Sequence, residues 1–351
     1  MSRKLPRHPL VTFLTRRRGD LARLLILTHD HPDPDAVASA WALAHLADRL
    51  CRARTRIVYG GVIGRMENQL MVRTLHIPVR PVKLQELTTA DHVALVDTQP
   101  PFQNNRFPAR RRATLVIDHH RRNPHTDAEF LLIDEEAGAT ATLFAEALLA
   151  ARLDIPPRLA TALVYGIISE TQHLGREAGP RDVAAYRALF PKASLASLSK
   201  IQNPPRPGSF FTTLGHAIYH AFIVGRVIGV HLGPVPSQDV VAHMADFLLT
   251  HERMRWSIVT GRYDGRLYVS LRTRDRRAEA GRLLWRLLGS GTSAGGHSMI
   301  AGGSVAVDPG ASEAAWVAAE RHLAAAFLKS QGHKEPFAFE YPYRIHPRRP
   351  A

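Results

Sequence analysis

The sequence predicts an α/β protein: a mainly parallel sheet covered by helices, followed by a smaller α/β domain. Short runs rich in Leu, Ile and Val alternate with Ala/Leu-rich stretches of helical length, the pattern of buried parallel strands and their crossovers. Three of those runs end in acids and imidazoles. A stretch broken by Pro191, Pro204, Pro205, Pro207 and Gly208 then separates two regions of different character.

Taken in order, residues 1–20 carry Arg3, Lys4, Arg7 and Arg16-Arg17-Arg18 and are expected to form a loosely held basic tail. Leu24–Leu27 reads as a strand and Ala36–Cys51 as a helix. Thr55–Tyr59 is a second strand, followed by Gly60-Gly61 and a helical stretch through Leu75. Val79–Val82, Val93–Val96 and Thr114–Ile117 continue the sheet. Thr140–Leu153 and Pro157–Ser169 read as helices. The first domain is bounded at 21–190, a linker at 191–215, the second domain at 216–330 and an irregular tail at 331–351. In the second domain Ala221–Leu232 reads as one strand and Asp239–Leu249 as a helix. Trp256–Gly261 and Leu267–Arg272 form a hairpin through Asp264-Gly265. Ala278–Leu288 is helical, residues 289–303 form a glycine-rich loop, and Ser304–Val307 is a strand.

Composition bounds the chemistry. With 351 residues, 45% of them hydrophobic, the chain suits two folded domains and not a disordered segment. Its single cysteine, Cys51, excludes an internal disulfide and a thiolate metal cage. No run reaches the length of a membrane span, and the basic N-terminus lacks the apolar core of a signal peptide, so a cytoplasmic protein without a membrane partner is expected. The net charge of +15 comes almost wholly from arginine. Arg110-Arg111-Arg112 and Arg121-Arg122 flank an Asp-His-His cluster in sequence, which favours an anionic substrate.

The clusters carry the function. The first is His29-Asp30-His31-Pro32-Asp33-Pro34-Asp35, the second Asp97 after Val93–Val96, and the third Asp118-His119-His120 after Thr114–Ile117. Prolines 32 and 34 hold the first segment extended, so Asp33 and Asp35 project together. Ligands of open α/β sheets bind beyond the carboxyl ends of the strands. Carboxylates and imidazoles converging there repel unless cations intervene. Imidazole with hard carboxylates suits manganese, iron, zinc or cobalt. Two ions become plausible, with Asp97 as the bridging candidate, and a hydroxide shared between them attacks phosphorus. Each cluster alone also admits a reading as turn or capping chemistry; the three together argue against it. Glu170, just after a helical stretch that could pack near the cluster, adds a further carboxylate. Gly295, Gly296 and His297 could cradle a phosphate, and Arg272 could clamp one.

These residues together resemble the DHH phosphoesterase family, in the branch with a C-terminal DHH-associated domain (RecJ-like, nano-RNase and cyclic-dinucleotide phosphodiesterase relatives). The likeness runs from about Leu24 to Val307: His29 to Ala36 is similar to the first motif, Val96-Asp97-Thr98 to the second and Asp118-His119-His120 to the third. Gly295-Gly296-His297 with Gly302-Gly303, and Val269-Ser270-Leu271-Arg272, resemble the associated domain's substrate-binding elements. The resemblance implies two Mn2+ ions, with Co2+, Fe2+ or Mg2+ as substitutes. One would be held by His29, Asp33 and Asp97, the other by Asp35, Asp97, His119 and Glu170, which stands where the family usually has aspartate. It implies a catalytic His120 at the scissile phosphate, Asp118 orienting the imidazoles, and Arg272, Gly295, Gly296 and His297 holding the substrate. The active site is expected in the cleft between the domains. The implied activity is a manganese-dependent phosphoesterase hydrolysing short oligonucleotides, linear dinucleotides or 3′-phosphoadenosine 5′-phosphate. The rival readings are a single-strand exonuclease in DNA repair, a pyrophosphate- or polyphosphate-cleaving enzyme and a weakened nucleotide-binding regulator. A homodimer through the first domain's sheet edge is compatible with the pattern.

Overall fold

The computed structural model describes residues 8–344 apart from 103, 109, 176, 276, 290–292, 297–298 and 309. The chain divides into two compact units, one up to Pro204 and one from Pro205.

The first unit runs α1 (Pro9–Arg16), β1 (Arg23–Leu27), α2 (Pro34–Cys51), β2 (Arg54–Tyr59), α3 (Met66–Leu75), β3 (Val79–Pro81), α4 (Leu84–Thr89), β4 (Val93–Val96), β5 (Ala113–Asp118), β6 (Ala128–Ile133), α5 (Thr140–Ala150), α6 (Pro157–Glu170), α7 (Pro180–Leu189), a 3-10 turn and α8 (Leu195–Gln202). The sheet order is β3-β2-β1-β4-β5-β6, with every pairing parallel. Strand alternation builds two cores. Leu24 and Ile26 face the one that holds α2, α5 and α6, whereas Leu25 and Leu27 face the one with Leu87 and Phe107. Strands buried on both faces explain why β4 and, apart from Thr114, β5 are apolar until Asp118.

The described part of the expected basic tail is ordered structure: Leu10 and Leu14 of α1 are 0% exposed and pack in the main core. Their i, i+4 stripe is one turn long among arginines, so charge hid it. The expected linker is also structured. Leu198 and Ile201 of α8 bury in the first unit's core, and the division falls at Pro204/Pro205.

The second unit contains α9 (Gly208–His220), β7 (Phe222–Val224), β8 (Val227–Pro234), α10 (Gln238–Leu249), β9 (Trp256–Tyr263), β10 (Arg266–Thr273), α11 (Ala280–Leu288), β11 (Ser293–Gly296), β12 (Ile300–Ala306) and α12 (Glu313–Ser330). Its sheet order is β11-β12-β10-β9-β8-β7. Ile258 faces a core with α11 and α12, and its neighbour Val259 a core with α10. The single strand read at 221–232 is a hairpin, β7 and β8, turned at Gly225 with φ of +57°. The glycine loop is corrected as well. Residues 293–296 form an edge strand paired with Ala301–Ser304. Among the described residues no helix is long and apolar enough to cross a membrane.

Candidate metal centre

Sheet topology locates the site. β1 and β4 are neighbours, yet the chain leaves β1 toward β2 and β3 on one side and returns through β4 to β5 and β6 on the other. Such a switch point opens a crevice at the strands' carboxyl ends, because the crossovers diverge there. His29 follows β1 by two residues, Asp97 follows β4 directly, and Asp118 ends β5 with His119 and His120 beyond it. Asp97 takes φ of +60°, in the left-handed region, a conformation that aspartate tolerates better than most residues.

The helices supply the rest. Asp33 caps α2, accepting a hydrogen bond from the Ala36 amide at 2.9 Å, and Pro34 starts the helix. Asp35, 1% exposed, accepts from the Thr140 and Ala141 amides at 2.7 Å each. The start of α5 thus holds this buried carboxylate with its otherwise unpaired N–H groups. Gly166 of α6 permits the close approach, since a Cβ there would lie 3.3 Å from the Asp35 Cα and the Pro34 oxygen. The Thr140 hydroxyl donates to Asp97 Oδ1 at 2.7 Å.

The imidazoles face these acids with their second nitrogens. His29 Nδ1 lies 2.8 Å from the Asp30 carbonyl, and His119 Nδ1 lies 3.2 Å from the Ala137 carbonyl. A carbonyl only accepts, so both Nδ1 atoms carry hydrogen. His29 Nε2 then lies 3.8 Å from Asp33 Oδ2 and 3.6 Å from Asp97 Oδ2. His119 Nε2 lies 3.7 Å from Asp97 Oδ1 and 3.9 Å from Asp35 Oδ2. In the neutral rings these atoms are lone pairs aimed at carboxylates, an arrangement that calls for a proton or a cation between them. His119 Nε2 is buried and has no hydrogen-bond partner among the described residues. His29, Asp33 and Asp97 form one group whose ligand atoms lie within 4.8 Å of one another; Asp97, His119 and His120 form a second. Asp97 belongs to both. The residues therefore fit divalent cations.

Charge follows the geometry. Burial would lower the affinity of His29 for a proton, but Asp33 and Asp97 reverse this and raise its pKa well above the ordinary range. Burial, then the charges of Asp97, Asp33 and Glu170, raise Asp35 well above the usual carboxylate range. Burial acts in the same direction on Asp97, yet the hydrogen bond from His29 and the charges of His120 and His119 outweigh it and hold Asp97 low. His120 behaves like His29: burial is outweighed by Asp118, whose Oδ1 lies 2.8 Å from Nδ1, and the ring rises to about 10.

Of the residues expected in the site, His29, Asp33, Asp35, Asp97, Asp118, His119 and His120 come together. Asp35 and Glu170, the last residue of α6, lie outside both ligand groups, though Asp35 Oδ2 is 3.9 Å from His119 Nε2 and the charge of Glu170 reaches Asp35 and His120. Arg272 belongs to the second unit, is 4% exposed, and binds Asp246 through Nε at 2.5 Å and Ser270 through Nη1 at 2.7 Å. Gly295 and Gly296 lie in β11, and His297 is outside the described residues. Sequence reasoning missed Thr140 and Gln99. Neither carries a charge, and their only signal is a place near an acidic motif or at a helix start.

Comparison with known proteins places the domain that carries these residues. Residues 23–167 match the model of the DHH family, N-terminal domain. An uncharacterized protein of Methanocaldococcus jannaschii is 35% identical over 290 residues, 81% of this chain and 58% of its own length. A probable manganese-dependent inorganic pyrophosphatase of Enterococcus faecalis is 26% identical over 152 residues, 43% of this chain and 49% of that protein. The chain thus spans about half the length of the curated relatives it matches. The crystal structure of an exopolyphosphatase-related protein from Bacteroides fragilis shares the fold, with a TM-score of 0.71 at 15% identity over 94% of this chain and 99% of that one. With three acidic motifs, two of them carrying histidine, gathered at its switch point, the matched region, residues 23–167, is a DHH-family N-terminal domain.

Proposed function

We propose that the chain is a metal-dependent phosphoesterase that acts on short nucleic acids or nucleotides. The observation that carries this reading is one carboxylate, Asp97, shared by two groups of ligand atoms at the sheet's switch point. In this reading His29, Asp33 and Asp97 hold one divalent cation, and Asp35, Asp97 and His119 hold a second with Glu170 nearby. Manganese is the proposed metal, supported by the description of the Enterococcus relative as manganese-dependent. Such ions supply electrophilic stabilisation of a phosphoryl group and a more acidic water.

The chain's own residues do the rest. The α5 amides fix Asp35, and the Thr140 hydroxyl fixes Asp97, so both carboxylates are held ready in a mostly buried site. His120, its Nδ1 held 2.8 Å from Asp118 Oδ1, is placed to donate a proton to the departing oxygen, while Asp118 keeps the ring in place. Arg272, Gly295, Gly296 and His297, all of the second unit, are proposed to bind a substrate phosphate, with Asp246 orienting the Arg272 guanidinium. The arginine-derived charge of +15 suits a polyanion. A second reading, cleavage of inorganic pyrophosphate, is favoured by the pyrophosphatase relative that aligns with 43% of the chain.

Hydrolysis with Mn2+ across pApA, an RNA dimer-to-heptamer ladder, 3′-phosphoadenosine 5′-phosphate, cyclic di-AMP, pyrophosphate and long single-stranded DNA tests both. Preference for the short nucleotides is expected. Preference for pyrophosphate selects the second reading, preference for long DNA selects an exonuclease, and no turnover with metal bound removes the enzymatic reading.

A further inference from the structure

Asp118 is fully buried and uses its two oxygens differently. Oδ1 faces His120, 2.8 Å from Nδ1 and 3.2 Å from the backbone amide. Oδ2 accepts a hydrogen bond from Gln99 Nε2 at 2.7 Å. Gln99 is itself 0% exposed and lies just beyond Asp97-Thr98. Its orientation is fixed by its partners. Nε2 meets acceptors, the Asp118 carboxylate and the carbonyls of Arg121 at 3.1 Å and His120 at 3.5 Å. Oε1 meets donors, the Asn123 amide and the Thr126 hydroxyl at 2.8 Å each. A flipped amide would set like against like on both sides. Its own backbone is pinned too, as its carbonyl accepts from Asn105 Nδ2 at 2.9 Å.

We propose that Gln99 is a positioning residue: by holding Asp118 Oδ2 it fixes the carboxylate plane, so that Oδ1 locks the His120 ring with Nε2 directed away from Asp118. A carboxylate gripped at one oxygen turns freely about its last torsion, because that rotation is soft. Gripped at both, it presents one oxygen to Nδ1 and no other. Gln99 also ties the strand that carries Asp97 to the loop after His120, so the two motifs keep their spacing. The inference rests on the reading of His120 as proton donor in phosphoester hydrolysis.

Gln99→Glu tests it in the full chain. The variant keeps the oxygen facing Asn123 and Thr126 but sets a second oxygen against Asp118 Oδ2. Two readouts are taken. One is the downfield Nδ1–H resonance of His120 in 15N-histidine-labelled protein, assigned by its loss in Asp118→Asn. The other is kcat and KM with Mn2+ on the best substrate of the panel. The expected result is loss of that resonance and a fall in kcat of about ten- to hundredfold, the usual effect of losing a partner that orients a site residue. KM should stay within about twofold, since ground-state binding is untouched. Thr126→Val, which removes one tether from the far side of Gln99, should leave the resonance in place. If Gln99→Glu does not fold, Gln99→Met of similar length replaces it and carries the same expectation. An unchanged His120 resonance in a folded Gln99 variant overturns the proposal. Wild-type protein without turnover overturns the functional reading instead, and the resonance still decides the role of Gln99.

Discussion

Asp97→Asn isolates the residue on which both ligand groups depend. Asparagine is the right probe for two structural reasons: it tolerates the φ of +60° at this position, and it keeps an oxygen for the Thr140 hydroxyl. What it removes is one negative charge between the two groups. The spans from the Asp97 oxygens to His29 Nε2 and His119 Nε2 are 3.6 and 3.7 Å. Coulomb's law at those separations, with an effective dielectric constant of about 20, gives about 4.5 kcal/mol per unit charge. An ion lying between the ligand atoms would be closer than that, so about a thousandfold loss of affinity is a minimum for each ion. The assay is titration of the metal-free protein with Mn2+ against a fluorescent indicator, with bound metal counted by mass spectrometry. Circular dichroism reports the fold. The wild type should bind two ions, Asp97→Asn none at micromolar metal, and His29→Ala a single ion. A folded Asp97→Asn protein that retains either ion at wild-type affinity would refute the shared-carboxylate reasoning.

Other outcomes follow from the same geometry. In the metal-free centre His29 and Asp35 are raised well above their ordinary ranges and keep protons that binding must expel, so Mn2+ affinity should climb with pH. Calorimetry in buffers of different ionisation enthalpy should register proton release, and a binding constant indifferent to pH would contradict this. Asp182, 0% exposed, accepts from the amides of Gly138 and Gly179 and from the Thr142 hydroxyl, tying the loop before α5 to α7. Asp182→Ala strands those donors and should cost about 3 kcal/mol or more, seen as a lower melting temperature. Leu14→Ala opens a cavity beneath α1 and should cost about 2–5 kcal/mol, read from the urea midpoint; an unchanged midpoint would mean that α1 is dispensable.

The sequence was most legible where local and global signals coincide. Val93–Val96 and Thr114–Ile117 are short, almost wholly apolar and followed by acids, so their burial and the site at their ends were both readable. β6 was not read as a strand, because Glu129 interrupts it and its side chains are only partly buried. α1 was hidden by the arginines that flank and end it, and β11 by glycines, which carry little strand signal. Within the centre the charged residues announced themselves through spacing. The residues that hold them did not: Thr140 and Gln99 are neutral, and their roles arise only when α5 and the loop after β4 meet their acids in three dimensions.

The most direct measurement is an anomalous difference map from crystals of the full chain grown with Mn2+ and recorded above the manganese edge. The account predicts two peaks on either side of the Asp97 carboxylate, one against His29 and Asp33, the other against His119 and Asp35. A map without peaks at the ends of β1, β4 and β5, or with a single peak that leaves Asp97 untouched, would contradict it.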